Sequence, residues 1–422
     1  MKRHAAKIRA ILAACMLFFT VAAGACSGRS TDLMPVVPRE TRSDVSKESL
    51  AAVTADVNAF AFDLYRALAD RDGNLFYSPI SLSLALAMAY AGARGETEGQ
   101  MASTLHYTLP QVELHRSLNA LDLAVAGSGQ GFTLKTANAA WSQAGYRYRQ
   151  AYLETLGRNY GAALGLLDFT DDGKREQARG TINRWTSDQT EGKIPGLLEK
   201  GMLSEFTRLV LTNAIYFKAD WGDPFKKEMT RDSLFTLPNG EQVAVPLMSR
   251  RGDMLYAEGP DYQAVELPYR GDRVRMVAIL PTAGQFASFE RRLDVERFDG
   301  IIRALQPQDV KFYMPKFRFG ADLKLNDTLA EMGMPDAFDR ARADFSGIKE
   351  EAEPRIFLSH VVHRALVAVD EKGTEAAAAS GIVAEIASLP VVLKFDRPFV
   401  FAIRDADTGT LLFLGRLVDP RG

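Results

Sequence analysis

Cysteine is almost absent from this 422-residue chain, which has only Cys15 and Cys26. Cys15 lies in an apolar run next to the N-terminus, so a protein that sheds this run has no internal disulfide even in an oxidising compartment. Its rigidity has to come from packing. Histidine is scarce as well, with five in all. His360 and His363 fall in a β-like run from Ile356 to Val369, which sends them to opposite faces and argues against a shared metal. A phosphate-cradling loop and a dinucleotide fingerprint are both missing. Gly127-Ser-Gly-Gln-Gly131 lacks the glycine two positions before Ser128 that a nucleophile elbow requires, and reads as a surface linker. No catalytic constellation can be assembled, so the expectation is a protein that is not an enzyme and needs no cofactor. A net charge of -2 gives no general attraction for nucleic acid. Neither an internal repeat nor a mid-chain linker appears, which leaves one large folded body.

Lys2, Arg3, Lys7 and Arg9 precede an apolar run from Ala10 to Ala25, the pattern of a secretory signal. The run is too short for a membrane span. It ends in Ala23-Gly-Ala-Cys26, which fits small-residue cleavage and resembles a bacterial lipobox, where Cys26 would be acylated and become the first residue. Ala23 stands where leucine is usual, and the alternative is cleavage after Ala25 with Cys26 unmodified. Ser27 resembles a signal for outer-membrane sorting. The expectations are a signal over residues 1–25, a polar flexible tether over 26–49 and a folded domain over 50–422. The protein is then exported, held on the bacterial outer membrane through lipid on Cys26, or otherwise periplasmic or secreted.

From Leu50 the pattern is helical, with Val53, Val57, Phe60, Ala61, Leu64, Tyr65 and Leu68 at three- and four-residue spacing. Asn74-Leu-Phe-Tyr-Ser-Pro-Ile-Ser81 predicts a short strand running into a helix, with Ser78 as N-cap and Pro79 in the first turn. Leu209–Phe217 is continuously apolar and belongs in the centre of a sheet. Further strands are expected at Ala264–Leu267, Val274–Leu280, Val310–Phe319, Ile356–Val369, Val391–Phe395, Phe399–Arg404 and Leu411–Val418, and helices at Lys174–Glu191 and Leu323–Met332. The fold class is α+β.

Asp370-Glu-Lys-Gly-Thr-Glu-Ala-Ala-Ala-Ala-Ser380 favours, on local propensity alone, an alanine-rich helix or a linker. It also resembles the hinge of inhibitory serpins. Asn213-Ala-Ile-Tyr-Phe-Lys-Ala-Asp-Trp221 looks like that family's central-sheet signature. Asn74–Ser81 looks like its first strand-to-helix segment, and Phe395–Arg404 with Leu412–Arg416 like its closing strands. The resemblance covers residues 50–422 in consistent order. It implies the serpin fold of three β-sheets and about nine helices, with an exposed reactive-centre loop over about 371–394. It also implies a shutter at Ser78, Ser81, Asn213 and His363, a breach at Trp221, a hinge ion pair between Lys316 and Glu371, and a monomer.

Residue parity supports insertion of the hinge as a strand. Thr374, Ala376, Ala378, Ser380, Ile382 and Ala384 form one face, small and uncharged, while Glu375, Ala377, Ala379, Gly381, Val383 and Glu385 form the other. Gly373 precedes both. Counting along the loop places the scissile bond at Ala387-Ser388, and a slip to Ile386 or Leu389 still presents an aliphatic residue. Such a bait suits an elastase-like serine protease rather than a trypsin-like one. Arg116 is offset by Glu113 and Asp122 in the region around Val112–Ala126, which argues against activation by heparin. The expected activity is serine-protease inhibition as a suicide substrate; a non-inhibitory carrier or chaperone is the alternative.

Overall fold

The computed structural model describes residues 37–42, 44–126, 131–374 and 389–422. These contain nine α-helices and fifteen strands. The chain begins with α1 (Lys47–Leu68), β1 (Leu75–Tyr77), α2 (Pro79–Tyr90), α3 (Gly95–Thr104) and α4 (Gln111–Val125). Next come β2 (Phe132–Gln143), α5 (Gln150–Tyr160), β3 (Leu164–Leu167), α6 (Asp172–Gln189) and β4 (Leu209–Asp220). Strands β5 (Arg231–Thr236), β6 (Gln242–Gly259), β7 (Tyr262–Pro268) and β8 (Val274–Pro281) lead to α7 (Phe286–Arg291) and α8 (Val295–Ala304). The remainder is β9 (Gln306–Pro315), β10 (Phe317–Lys324), α9 (Asn326–Glu331), β11 (Leu358–Val369), β12 (Gly373–Thr374), β13 (Val391–Lys394), β14 (Phe399–Asp405) and β15 (Leu411–Leu417).

The main sheet runs β10-β11-β4-β2-β3, with β12 added to β4. The second network runs β1-β15-β14-β8-β7-β6-β9-β13, with β5 added to β6. The three sheets that the resemblance implies are thus hydrogen-bonded as two networks. The cause is β6, 18 residues long, whose start pairs with β5, whose end pairs with β7 and along which β9 runs. Leu209–Phe217 is buried throughout because it lies between β11 and β2 over α2, as its unbroken apolar run required. Every apolar position of the α1 stripe named above is buried. Ser78 caps α2 by accepting from the Ser81 N–H, with Pro79 in the first turn.

Three boundaries differ from expectation. Val310–Phe319 is two strands: at Lys316, whose N–H donates to Pro246 O at 3.0 Å, the chain leaves β6 and crosses to pair with β11. A strand pattern that continues on both sides of Lys316 does not reveal a change of sheet. Leu323 and Lys324 finish β10, paired with His363 and Val362, so the helix expected at Leu323–Met332 is confined to α9. The tether expected over 26–49 is also too long. Ser46 already caps α1, and Val37–Arg42 lies against α4 and α5.

The two networks meet through aromatic rings. Phe76 stacks on Phe413 with centroids 4.8 Å apart, and Phe413 contacts Phe217 of β4 at 5.5 Å. Close approach of β1 depends on Gly415, where a Cβ would stand 2.4 Å from Leu75 O and 3.1 Å from the rings of Phe401 and Phe76. Gly415→Ala is therefore expected to cost about 1–3 kcal/mol by overpacking. A lowered urea midpoint with unchanged secondary structure would check this.

Candidate functional site

The parallel pairing of β4 with β11 runs from Leu209/Leu358 to Tyr216/Leu366, with one irregularity near its start. At its middle the sequence sets a polar pair, Asn213 opposite His363, where every neighbouring β4 residue is buried. The His363 ring is fully buried. Its Nδ1–H donates to Asn213 Oδ1, and its Nε2 accepts from the Ser78 N–H at 3.3 Å. Those two partners require the neutral Nδ1–H tautomer. Burial agrees, pushing the ring down to about 3.

The Asn213 amide donates to Ser81 O at 2.8 Å, to Ser81 Oγ at 2.6 Å and to Asn138 Oδ1. Ser81 Oγ donates in turn to Asn138 Oδ1 at 3.2 Å. Asn138 faces Asn213 across the β2–β4 ladder. The network therefore joins α2, β2, β4 and β11 at one depth, and all four expected shutter residues belong to it. Asn138 was missed. Its signal was present, since a lone amide among small apolar residues in Thr136–Trp141 is unusual for a central strand.

Beyond Tyr216 the seam opens. Ala219 and Asp220 pair antiparallel with Thr374 and Gly373 of β12, and between these ladders lies a cavity of about 520 Å³ lined by Tyr216, Phe217, Lys316, Leu366, Val369 and Thr374. β12 is fixed from several sides. The Trp221 N–H donates to Lys372 O at 2.9 Å, and its indole N–H donates to Asp370 O at 3.0 Å. The same indole stacks on Tyr269 at 4.5 Å, and the Tyr269 hydroxyl lies 3.0 Å from Thr374 Oγ1. A Cβ on Gly373 would stand 2.2 Å from Ala219 O, so β12 can lie this close to β4 only as glycine. Tyr269 and the bond it makes were not foreseen.

Lys316 Nζ lies 2.8 Å from Glu371 Oε2, and Thr230 Oγ1 donates to Glu371 Oε1 at 2.8 Å. Burial raises the Glu371 carboxyl, but the ammonium, the hydroxyl and a backbone N–H outweigh it and hold it below its ordinary value. The expected ion pair is thus in place at the base of the hinge. Glu375, Ala376, Ala377, Ala378, Ala379, Ser380, Ala387 and Ser388 lie outside the described residues, as does Cys26. Leu389, just after them, is 98% exposed. β11 sends His360 to a separate recess beside Met202, away from His363. Among the described residues no group of acidic, histidine or cysteine side chains could hold a metal.

Acid should loosen this site. His363, and His115 buried in α4 at about 4, are neutral when folded but bind protons below about 6.5 once unfolded. Each therefore removes about 1.4 kcal/mol of stability per pH unit as pH falls from 6.5 towards its folded value. His363→Asn is expected to flatten the dependence between pH 6.5 and 5 by one histidine's share, measured as urea midpoints; an unchanged slope would contradict the buried neutral ring.

The sequence pattern of the family described as Serpin (serine protease inhibitor) matches residues 55–420. A serpin-like protein of Thermococcus kodakarensis is 40% identical over 90% of this chain and 89% of its own. The leukocyte elastase inhibitor of Homo sapiens is 37% identical over 86% of this chain and 97% of its own. Among solved structures, the native thermophilic serpin tengpin superposes with a TM-score of 0.81 at 26% identity, covering 92% of this chain and 97% of that one. Human thyroxine-binding globulin complexed with its hormone also gives 0.81, at 30% identity over 89% of this chain and 100% of that one. With a family pattern spanning nearly the whole folded body and relatives and solved structures of the same family matching it over most of their length, the chain belongs to the serpin family.

Proposed function

We propose that the protein inhibits an elastase-like serine protease as a suicide substrate, cleaved at Ala387-Ser388. The observation that carries this reading is β12, already paired with the free end of β4. Continuing its register places Ala376 beside Phe217, Ala378 beside Ile215, Ser380 beside Asn213 and Ile382 beside Leu211, and ends with Ala384 beside Leu209, the first residue of β4. All these β4 partners are buried towards the core, so the incoming face has to be uncharged and mostly small, and it is uncharged throughout and small at every position but Ile382. Glu375 falls beside Lys218 on the other face, an opposite-charge pair.

The protease serine hydroxyl attacks the Ala387 carbonyl carbon. The bond to Ser388 breaks, and its electron pair leaves with the Ser388 nitrogen, which takes its proton from the protease histidine. Ala387 then remains joined to the protease through an ester. Each inserted residue adds a backbone bond with a net value of ~0.5–1.5 kcal/mol, so the strand as a whole gains roughly 10 kcal/mol. That is comparable with the entire stability of a domain, and drives insertion before the ester hydrolyses. The relatives named leukocyte elastase inhibitor favour the same target class. A carrier role, for which thyroxine-binding globulin is the precedent in the fold, would leave the small inward face unexplained.

Incubation with elastase tests this reading. A complex stable in denaturant and a released fragment beginning at Ser388 are expected. Thr374→Arg and Ala376→Arg are expected to be cleaved at the same bond with at least tenfold less complex. Cleavage of the wild type without complex would sink the inhibitory reading.

Export with acylation at Cys26 is part of the same proposal, supported by the basic flank, the apolar run and Ala23-Gly-Ala-Cys26. Incorporation of labelled fatty acid is expected in the wild type and absent in Cys26→Ser. Label persisting in the variant would count against anchoring there.

A further inference from the structure

Residues Val37–Arg42 lie in the groove between α4 and α5. Val37 and Arg39 are half-buried, while Pro38 and Glu40 face solvent, as in an extended strap. On the α4 side, Arg39 Nε donates to Asn119 Oδ1 at 2.9 Å and its Nη2 donates to Asp122 Oδ2 at 2.5 Å. Asn119 Nδ2 returns a bond to Glu40 O at 2.8 Å. On the α5 side, the Glu40 N–H donates to Arg158 O at 2.9 Å. The α5 wall is shaped for this segment: a Cβ on Gly157 would stand 2.6 Å from Val37 O, and Gly161, in the left-handed region at φ +60°, packs against the Arg39 stem.

Arg39 also lines a cavity of about 350 Å³ shared with Asn138 and Trp141 of β2 and Gly165 of β3. Asn138 is the residue that ties β2 to the Asn213–His363 pair. Helix α4 packs along α1, whereas α5 runs directly into β3, the edge of the β4-β2-β3 half of the main sheet. Admitting a strand between β4 and β11 widens the sheet by about 4.8 Å, so this half has to shift relative to the other. A segment bonded to both α4 and α5 crosses the line of that shift.

We propose that Val37–Arg42 is a cis-acting strap that keeps the β4–β11 seam closed, so that its occupancy of the α4–α5 groove sets the lifetime of the uncleaved state. The strap rests on the insertion reading only in that the seam must open; it acts before any protease is met. Hydrogen exchange of the backbone amides of His360–Leu366 in the mature chain, without protease, tests it. Arg39→Ala is expected to raise exchange there at least tenfold, and Gly157→Val, acting from the groove wall, to do the same. Arg39→Asp combined with Asp122→Arg is expected to restore protection to near the wild-type value, which general destabilisation would not do. Exchange in β4 and β11 within twofold of wild type, with faster exchange confined to α4 and α5, overturns the strap. Failure to form a complex with elastase leaves this measurement unaffected and counts only against inhibition.

Discussion

Asn213 and His363 face each other across the parallel seam between β4 and β11, in a stretch where most neighbouring strand side chains are apolar and water is excluded. Their polar atoms have no alternative partners among those side chains, so leaving one unmade costs about 1–3 kcal/mol. The seam is consequently held by interactions that are lost together. Once β11 moves, the ring loses Asn213 and Ser78, and Asn213 Oδ1 has to find another donor, while its amide keeps Ser81 and Asn138. A sheet zipped only by apolar contacts would part gradually. This one resists until the polar cluster gives way, which is the behaviour expected of a barrier rather than of a deep well.

The same constraint explains how opening can become favourable. In the proposed register the strand that replaces β11 beside β4 brings Ser380, a hydroxyl, to Asn213. The group left unpaired by separation is met by a new one at the same depth, while Ala378 and Ile382 occupy the neighbouring positions over the core. β12 has already brought the ends of the future ladder together. Most of the loop-closure cost of nucleating the strand is thus met in the uncleaved state, held by Trp221, Tyr269 and the Lys316–Glu371 pair. Phe217 and Tyr216, further along β4, border the cavity beside β12, so the first added pairs displace little packing.

How far this was legible in sequence depended on whether a feature is local. Ser78 announced itself as a cap because Ser-Pro-Ile-Ser is a complete helix start within four residues. β4 was legible because burial on both faces leaves no room for polar alternation. Asn138, Tyr269 and Arg39 were not. Each acts through a partner 75, 105 or 80 positions away, and no period or spacing encodes such a partner. The break at Lys316 was hidden for a related reason. Both sides of it are strand, and the chain changes which sheet it joins rather than its own conformation.

With no cysteine among the described residues, a fold that is to be durable and yet admit a strand has a narrow range of ways to do so. Covalent staples across the seam would forbid a new strand, and an all-apolar seam would offer no discrete threshold. Placing the threshold in a few buried hydrogen bonds makes it sensitive to anything that shifts β2 or α2 by a fraction of an ångström, because such bonds weaken steeply with distance and angle. α2 carries Ser78 and Ser81 on a first turn with every side chain buried, so it has no soft face on which to yield. β2 is different: beside Asn138 it borders a cavity rather than solid packing, and Arg39 lies at that cavity's rim. Control of the seam from outside the sheet is therefore more readily exerted through β2 than through α2, and the groove in which Val37–Arg42 lies is where the molecule offers that access.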